Sequence, residues 1–249
     1  MILIFVALEA EAHPMLARLS HRASLVDSGL DGCQGRIADV PVALVVTGMG
    51  TRRARISSGR AMDSLPGIDL VVTSGVAGGL RDDLTVGQVV LSERLLTCRN
   101  DNFQPEQIVD ASAPWLTRFA TALEASGIAY AAGPMMTSRR PIMTGADKQR
   151  AYLESGGAIT VDMESAVIAL EAERRGVPFV CIRTILDTAA EDVVGARLVD
   201  QDGRVRALAA AKALITSPRM VIGVAHLLRN LRLATRSLAS TLETVLPRL

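Results

Sequence analysis

Three observations predict an α/β fold for this chain. The expected form is a single three-layer domain in which a central mixed, mostly parallel sheet is flanked by helices, with a helical extension at the C-terminus. Short continuous apolar runs recur along the first 190 residues, as strands buried on both faces require. Helical patterns separate these runs, the signature of strands joined by covering helices. No Pro/Gly/Ser-rich linker and no repeat interrupts the series, so 1–190 reads as one α/β unit and 191–249 as its basic helical extension.

The elements follow in order. "ILIFVAL" (2–8) is a first core strand leading into an acidic helix start. "VPVALVVT" (40–47) leads through "GMG" into a basic helical stretch. "IDLVVTSG" (68–75) runs into "VAGGL", and "VGQVVLSE" (86–93) follows. A helical stretch covers about 114–126, before the strand "GIAYAAGPMM" (127–136). "GAITV" (157–161) precedes a helix over 163–175, and "VPFVCIRTIL" (177–186) closes the series. A polar loop (188–205) then leads to two basic helical patterns, 206–216 and 219–246.

Composition narrows the function classes. Of 249 residues, 49% are apolar and 21% charged, enough for a core and against disorder. Aromatics are only 3%, so aliphatic side chains must fill that core. The formal net charge of +1 gives no sign of nucleic-acid binding. Residues 196–249 nevertheless carry nine Lys/Arg against three Asp/Glu. Cys33, Cys98 and Cys181 are scattered and odd in number, which suggests reduced thiols in a cytoplasmic protein. His13, His21 and His226 make no metal-ligand spacing, so no metal or cofactor is expected. The apolar N-terminus has no basic n-region and meets acids at once, so it reads as a strand and not as a signal peptide. No run of 18 or more apolar residues spans a membrane.

Ligands of open parallel sheets bind at the carboxyl ends of the strands, and three acids stand at such ends. Glu11 follows the first strand, Glu164 the strand 157–161, and Asp187 ends the strand 177–186. Gly48 and Gly50 after one strand, and Gly75, Gly78 and Gly79 after another, let a ligand approach the backbone. Taken singly, each acid reads more readily as a helix-start or capping residue. Together, beside two glycine-rich turns, they read as a site. The "GMG" turn is not a dinucleotide fingerprint, because Arg53 stands where its third glycine belongs.

"SGVAGGL" (74–80), "VGQVVLSE" (86–93), "VDMESAVIAL" (161–170) and "VPFVCIRTILD" (177–187) resemble the purine nucleoside phosphorylase/nucleosidase superfamily. The resemblance covers about residues 1–190 and is nearest to the methylthioadenosine/S-adenosylhomocysteine nucleosidases. The tail pattern "SPRMVIGVAHLLRNLRLATRSL" is similar to the hopanoid-associated phosphorylase branch, which acts on adenosylhopane. The resemblance implies cleavage of an N-ribosidic bond with release of adenine, no cofactor, and a homodimer. It implies Asp187 as the acid that protonates the base and Glu11 as the residue that activates the nucleophile. Glu164 would grip the ribose diol with Met163 packed on the sugar, and Ser74 and Gly78 would contact substrate. Ile142 stands near the place of the family's base-stacking phenylalanine, for which Phe103 is a substitute.

Departures shape the substrate expectation. Leu186 replaces a small hydroxyl residue beside the catalytic aspartate, which argues against ordinary methylthioadenosine; the resemblance to the hopanoid-associated branch implies a nucleoside with a large apolar 5′ substituent. Val76 and Thr73 stand where the phosphorylases carry phosphate ligands, so water is the expected acceptor, with phosphate kept open as a co-substrate. Arg52, Arg53, Arg139 and Arg140 are candidate anion ligands. The alternatives are a methylthioadenosine/S-adenosylhomocysteine nucleosidase or a general purine nucleoside phosphorylase and, outside the enzymes, a nucleoside-binding module without activity.

In the tail, Val224, Leu228, Leu231, Leu238, Leu242 and Val245 share one helical stripe. Two uses are open. The stripe packs on the body or a second subunit, or 219–246 contacts the inner membrane surface through its apolar and basic faces.

Overall fold

The computed structural model describes residues 1–98, 102–193 and 218–249. The helix expected over 206–216 lies outside these residues, as does most of the polar loop after residue 193.

The sheet is built around β1 (Ile2–Val6), β4 (Val40–Val46), β5 (Leu70–Gly79) and β12 (Phe179–Asp187). β1 pairs parallel with β4 and β5, and β12 pairs parallel with β5. Alternation along β1 explains the three layers. Leu3 and Phe5 face one cluster, shared with Ala54, Ala61 and Met62 of α2 (Thr51–Ser64) and with the inner side of α5 (Ser165–Arg174). Ile2, Ile4 and Val6 face the other, shared with α1 (Glu9–Leu16), α3 (Ala113–Ala125) and α6 (Pro218–Val245). β1 and β4 are apolar throughout because both of their faces are covered, whereas β5 carries Thr73 and Ser74, and β12 carries Arg183, Thr184 and Asp187, further along the strand.

Several elements depart from the sequence expectation. β2 (Ser20–Ser24) and β3 (Gly32–Ile37) add an antiparallel edge beside β4. β6 (Val89–Ser92) pairs antiparallel with β12, and β7 (Arg94–Cys98) pairs antiparallel with β8 (Pro105–Asp110). The single strand expected over 127–136 is two, β9 (Tyr130–Ala132) and β10 (Met135–Thr137). Gly133-Pro134 divides them, since proline has no N–H for a ladder. β9 then pairs with β6, and β10 with β7 and β11 (Thr160–Asp162). A further helix, α4 (Gly145–Glu154), starts at a Thr144 cap whose hydroxyl accepts from Asp147 N at 3.1 Å.

One relationship in the sheet positions everything that follows. The edge of β5 that faces β1 is paired with it only as far as Thr73. β11 pairs antiparallel with β5, from Gly78 onward. Between them Ser74–Ala77 of β5 have no strand partner on that side among the described residues, although β12 pairs them on the other. The residues that follow β1 and β11 both arrive at this gap. Glu164 thus reaches Glu11 because its strand runs against β5, and not because all strands share one direction.

The tail is settled by burial. Leu238, Leu242 and Val245 are fully buried, in one cluster with Val180 and Ile182 of β12. Thr184 Oγ1 donates to the Ala234 carbonyl at 2.9 Å, and Ser237 Oγ to that of Gly87 at 2.8 Å. The lower half of the apolar stripe is core. Only Leu228, of its upper half, is exposed, at 38%. The lower half of the stripe therefore packs on the body, and the outward residues of α6 include Ile222, Leu228 and Leu233 with Arg229, Arg232 and Arg236.

Candidate active site

Glu11 sits in the first turn of α1. Its Oε2 accepts from the N–H groups of Ala7 and Leu8, both at 2.9 Å, which caps the helix start. Its Oε1 crosses to the gap and accepts from Val76 N at 2.8 Å. The capping role and the site role coexist, one oxygen to each. Burial pushes its pKa up, opposed by Arg183 and by the three backbone donors.

Glu164 is the N-cap residue of α5, yet its carboxylate leaves that helix. Oε1 accepts from Gly50 N at 2.6 Å, at the start of α2. The "GMG" turn and the "DMES" junction thus meet in space. Glu164 is 5% exposed, and burial first, then the charge of Asp162, raises its pKa to about 8 against the pull of Arg183.

Arg183, in the middle of β12, is the cation under both acids and is 1% exposed. Its Nη2 donates to Asp162 Oδ2 and to Ser165 Oγ, both at 2.7 Å. Among the described residues its Nη1 has no partner. Burial opposes its charge, and Asp162, with Cys181, Glu11 and Glu164, more than restores it. Gly75 is obligatory at this point. Its φ is +139°, and a Cβ there would lie 2.2 Å from Arg183 Nη1 and 2.6 Å from Glu11 Oε1. Asp162 is fully engaged by Thr137 Oγ1 at 2.6 Å, Ser165 N at 2.9 Å and Arg183, which makes it the anchor of the cluster.

Asp187 ends β12 opposite Gly78, where a Cβ would come within 3.3 Å of its Oδ1. That Oδ1 accepts from Lys148 Nζ, a residue of α4. Burial raises the Asp187 pKa, and Lys148 works against the rise.

The other expected contacts are placed as follows. Ser74 is buried beside the gap, and among the described residues its hydroxyl is without a partner. Met163 is half-buried between Asp162 and Glu164. Ile142 and Phe103 pack on one cluster with Leu80 and Val161, and the Phe103 ring carries the Arg150 guanidinium at 4.9 Å. Arg52, Arg53, Arg139 and Arg140 are all exposed, and Arg139 lies 3.9 Å from Glu106. Thr73 is bonded to Ser165 Oγ at 3.0 Å. Among the described residues no group of three or more His, Cys, Asp or Glu side chains could hold a metal ion.

Sequence reasoning missed Arg183, Asp162 and Lys148. Arg183 was legible as the one cation inside an apolar strand run, a position tolerated only when paired.

Comparison with known proteins gives the family and the fold. The profile of the phosphorylase superfamily matches residues 1–217. The chain is 24% identical over 197 residues to a 5′-methylthioadenosine/S-adenosylhomocysteine nucleosidase of Shewanella piezotolerans, covering 75% of this chain and 85% of that protein. A crystal structure of the corresponding nucleosidase of Neisseria meningitidis, in complex with methylthio-immucillin-A, superposes with a TM-score of 0.78 at 19% identity, over 100% of this chain and 99% of that one. Futalosine hydrolase of Helicobacter pylori gives 0.75, also at 19% identity, over 100% and 97%.

Proposed function

The chain belongs to the phosphorylase superfamily, and from that premise we propose that it hydrolyses the N-ribosidic bond of an adenine nucleoside, with release of adenine. The observation that carries this reading is Glu11 bonded to Val76 of β5, with Glu164 within electrostatic reach of Glu11 and of the buried Arg183, and Asp187 across Gly78. Cleavage builds positive charge on the sugar and negative charge on the departing base. Glu164 would take the ribose diol with its two oxygens, and Met163 would pack on the sugar. Glu11 would take the proton of a water that also accepts a hydrogen bond from Nη1 of Arg183, which is unpartnered among the described residues. Asp187 would give a proton to the base, an acid–base contribution worth about 10²–10⁴ in rate. Ser74, Gly78 and either Ile142 or Phe103 would complete the contacts to sugar and base.

Water is favoured over phosphate as the acceptor by Thr73. Its hydroxyl is turned to Ser165 inside the protein, and Val76 offers no side-chain donor. The nucleosidases and the hydrolase to which the chain is similar support the same choice. We read the 5′ substituent as large and apolar, adenosylhopane-like, from Leu186 beside Asp187 and from the tail pattern. The outer face of α6, with Ile222 and Leu233 beside Arg229, Arg232 and Arg236, supports contact with an anionic membrane surface, where each basic residue contributes roughly 1 kcal/mol. A homodimer is part of the same proposal.

The test is an adenine-release assay with purified protein across nucleosides differing at the 5′ position, in phosphate buffer. Free ribose sugar with an apolar 5′ group is the expected product. Release from methylthioadenosine alone would shift the reading to an ordinary methylthioadenosine nucleosidase, ribose 1-phosphate would replace water by phosphate, and no release from any nucleoside would leave a binding module.

A further inference from the structure

Lys148 is the largest feature of the site that the reaction has not used. It lies one turn into α4 and has no exposed surface. A buried ammonium costs several kcal/mol unless each of its three N–H donors finds an acceptor. Here all three do: Asp187 Oδ1, the Thr188 carbonyl at 2.6 Å and the Glu191 carbonyl at 2.9 Å. Two further bonds tie the same pieces together, Gly145 N to Asp192 Oδ1 at 2.9 Å and Val193 N to the Met143 carbonyl at 2.8 Å. The start of α4 and the segment after β12 therefore form one clamp. Holding two carbonyls would explain a neutral donor such as glutamine. It does not explain a full positive charge set against the proposed proton donor.

We propose that Lys148 is the positioning residue for Asp187: its ammonium holds one carboxylate oxygen, turns the other toward the leaving base, and stabilises the anion that remains when the proton departs. The proposal rests on the reading of Asp187 given above. In the step, the Asp187 Oδ2–H bond breaks and the proton goes to the base. The electron pair of the sugar–base bond leaves with the base. Water bonds to the sugar carbon and its proton goes to Glu11. Asp187 ends as a carboxylate beside Lys148 and regains its proton from solvent, to which Glu11 returns the one that it took.

The groups that face Asp187 give the direction of the pH effect. Lys148 comes from α4, Glu191 and Asp192 from the following segment, and His226 from α6 across a cavity of about 170 Å³ that all but Lys148 line. Burial and Glu191 raise the carboxyl pKa, and Lys148 lowers it. Removing Lys148 therefore keeps Asp187 protonated to higher pH while leaving it unaimed.

The experiment measures kcat/KM against pH for 5′-butylthioadenosine and for p-nitrophenyl β-D-riboside, whose leaving group needs no proton. The variants are K148M, K148Q and K148R. K148Q keeps donors for the two carbonyls and covers the case in which K148M does not fold. We expect the neutral variants to lose about 10²-fold on the adenine nucleoside and several-fold less on the nitrophenyl riboside, with the alkaline limb displaced upward by about one pH unit or more. K148R should keep the limb near its original position. Equal losses on both substrates, or an unmoved limb in a folded neutral variant, overturns the proposal and leaves a structural clamp. Asp187→Asn, run in parallel, separates the two levels. If it releases adenine at a near-normal rate, the role of Asp187 itself fails; if it is inactive while the limb stays put in K148M and K148Q, only the role of Lys148 fails.

Discussion

Glu164 Oε1 accepts a 2.6 Å hydrogen bond from the Gly50 N–H, so the acid that ends the "DMES" junction is held by the N-terminal end of a different helix, α2. A carboxylate at such an end meets unpaired N–H groups and the positive end of the helix dipole. It keeps its second oxygen turned to its own turn, 3.3 Å from Met163 N. That long contact is the one a sugar hydroxyl can replace.

Glu164→Gln is therefore expected to weaken ribonucleosides more than 2′-deoxynucleosides. Above pH 8, where Glu164 is ionised, the amide loses the charge-assisted pair with the diol, about 1.5–3 kcal/mol, or roughly ten- to a hundredfold in kcat/KM. Steady-state kinetics on a matched ribo/deoxyribo pair checks this. Equal losses on both would remove the 2′-hydroxyl from its role.

The same substitution predicts a change in pH stability. The Glu164 pKa stands at about 8, against an ordinary 4.5, because burial and Asp162 disfavour its charged form. A carboxyl raised in the folded state contributes stability that is full below its unfolded pKa and is lost as pH rises through the folded one. The wild-type Tm should fall between pH 5 and 9, and the Glu164→Gln variant should fall less. Parallel thermal melts decide it, and identical slopes would mean that Glu164 titrates normally.

Arg183→Met should cost about 3–5 kcal/mol in urea unfolding, since it leaves Asp162 a buried acid without its cation. Arg183→Lys should recover only part, because an ammonium cannot reach Asp162 and Ser165 and still present a donor beside Glu11. Full recovery by lysine would show that charge alone matters there.

Truncation within the tail should unfold the protein. Removing 231–249 deletes Leu238, Leu242 and Val245, each worth roughly 1.5–3 kcal/mol of burial. Ile222→Ser with Leu233→Ser should leave the Tm unchanged and reduce sedimentation with anionic liposomes at low salt. A double variant that sediments like the wild type would exclude this outer face from membrane contact.

The central strands were legible because both faces of the sheet are covered, which makes β1, β4 and the opening residues of β5 and β12 apolar runs. β2 was not: "SHRAS" is exposed at every position and has no apolar alternation to read. α4 was hidden for the opposite reason. The residues it buries are Ala151 and Lys148, and a lysine marks the outer face in any periodicity count. Glu11, Glu164 and Asp187 could be singled out because each follows a strand. Their partners could not. Val76, Gly50 and Lys148 are 65, 114 and 39 residues away, and the first two meet their acids through the order β4-β1-β5-β11 in the sheet. The apolar stripe of the tail read correctly as a stripe, but its partner, β12, is a tertiary fact.

The most direct measurement of the central claim is single-turnover adenine release by Asp187→Asn, alongside equilibrium binding of the same nucleoside. A proton donor acts chiefly in the transition state. The account predicts a loss of about 10²–10⁴ in the rate of release with binding changed only a few-fold. Release at close to the wild-type rate would contradict it.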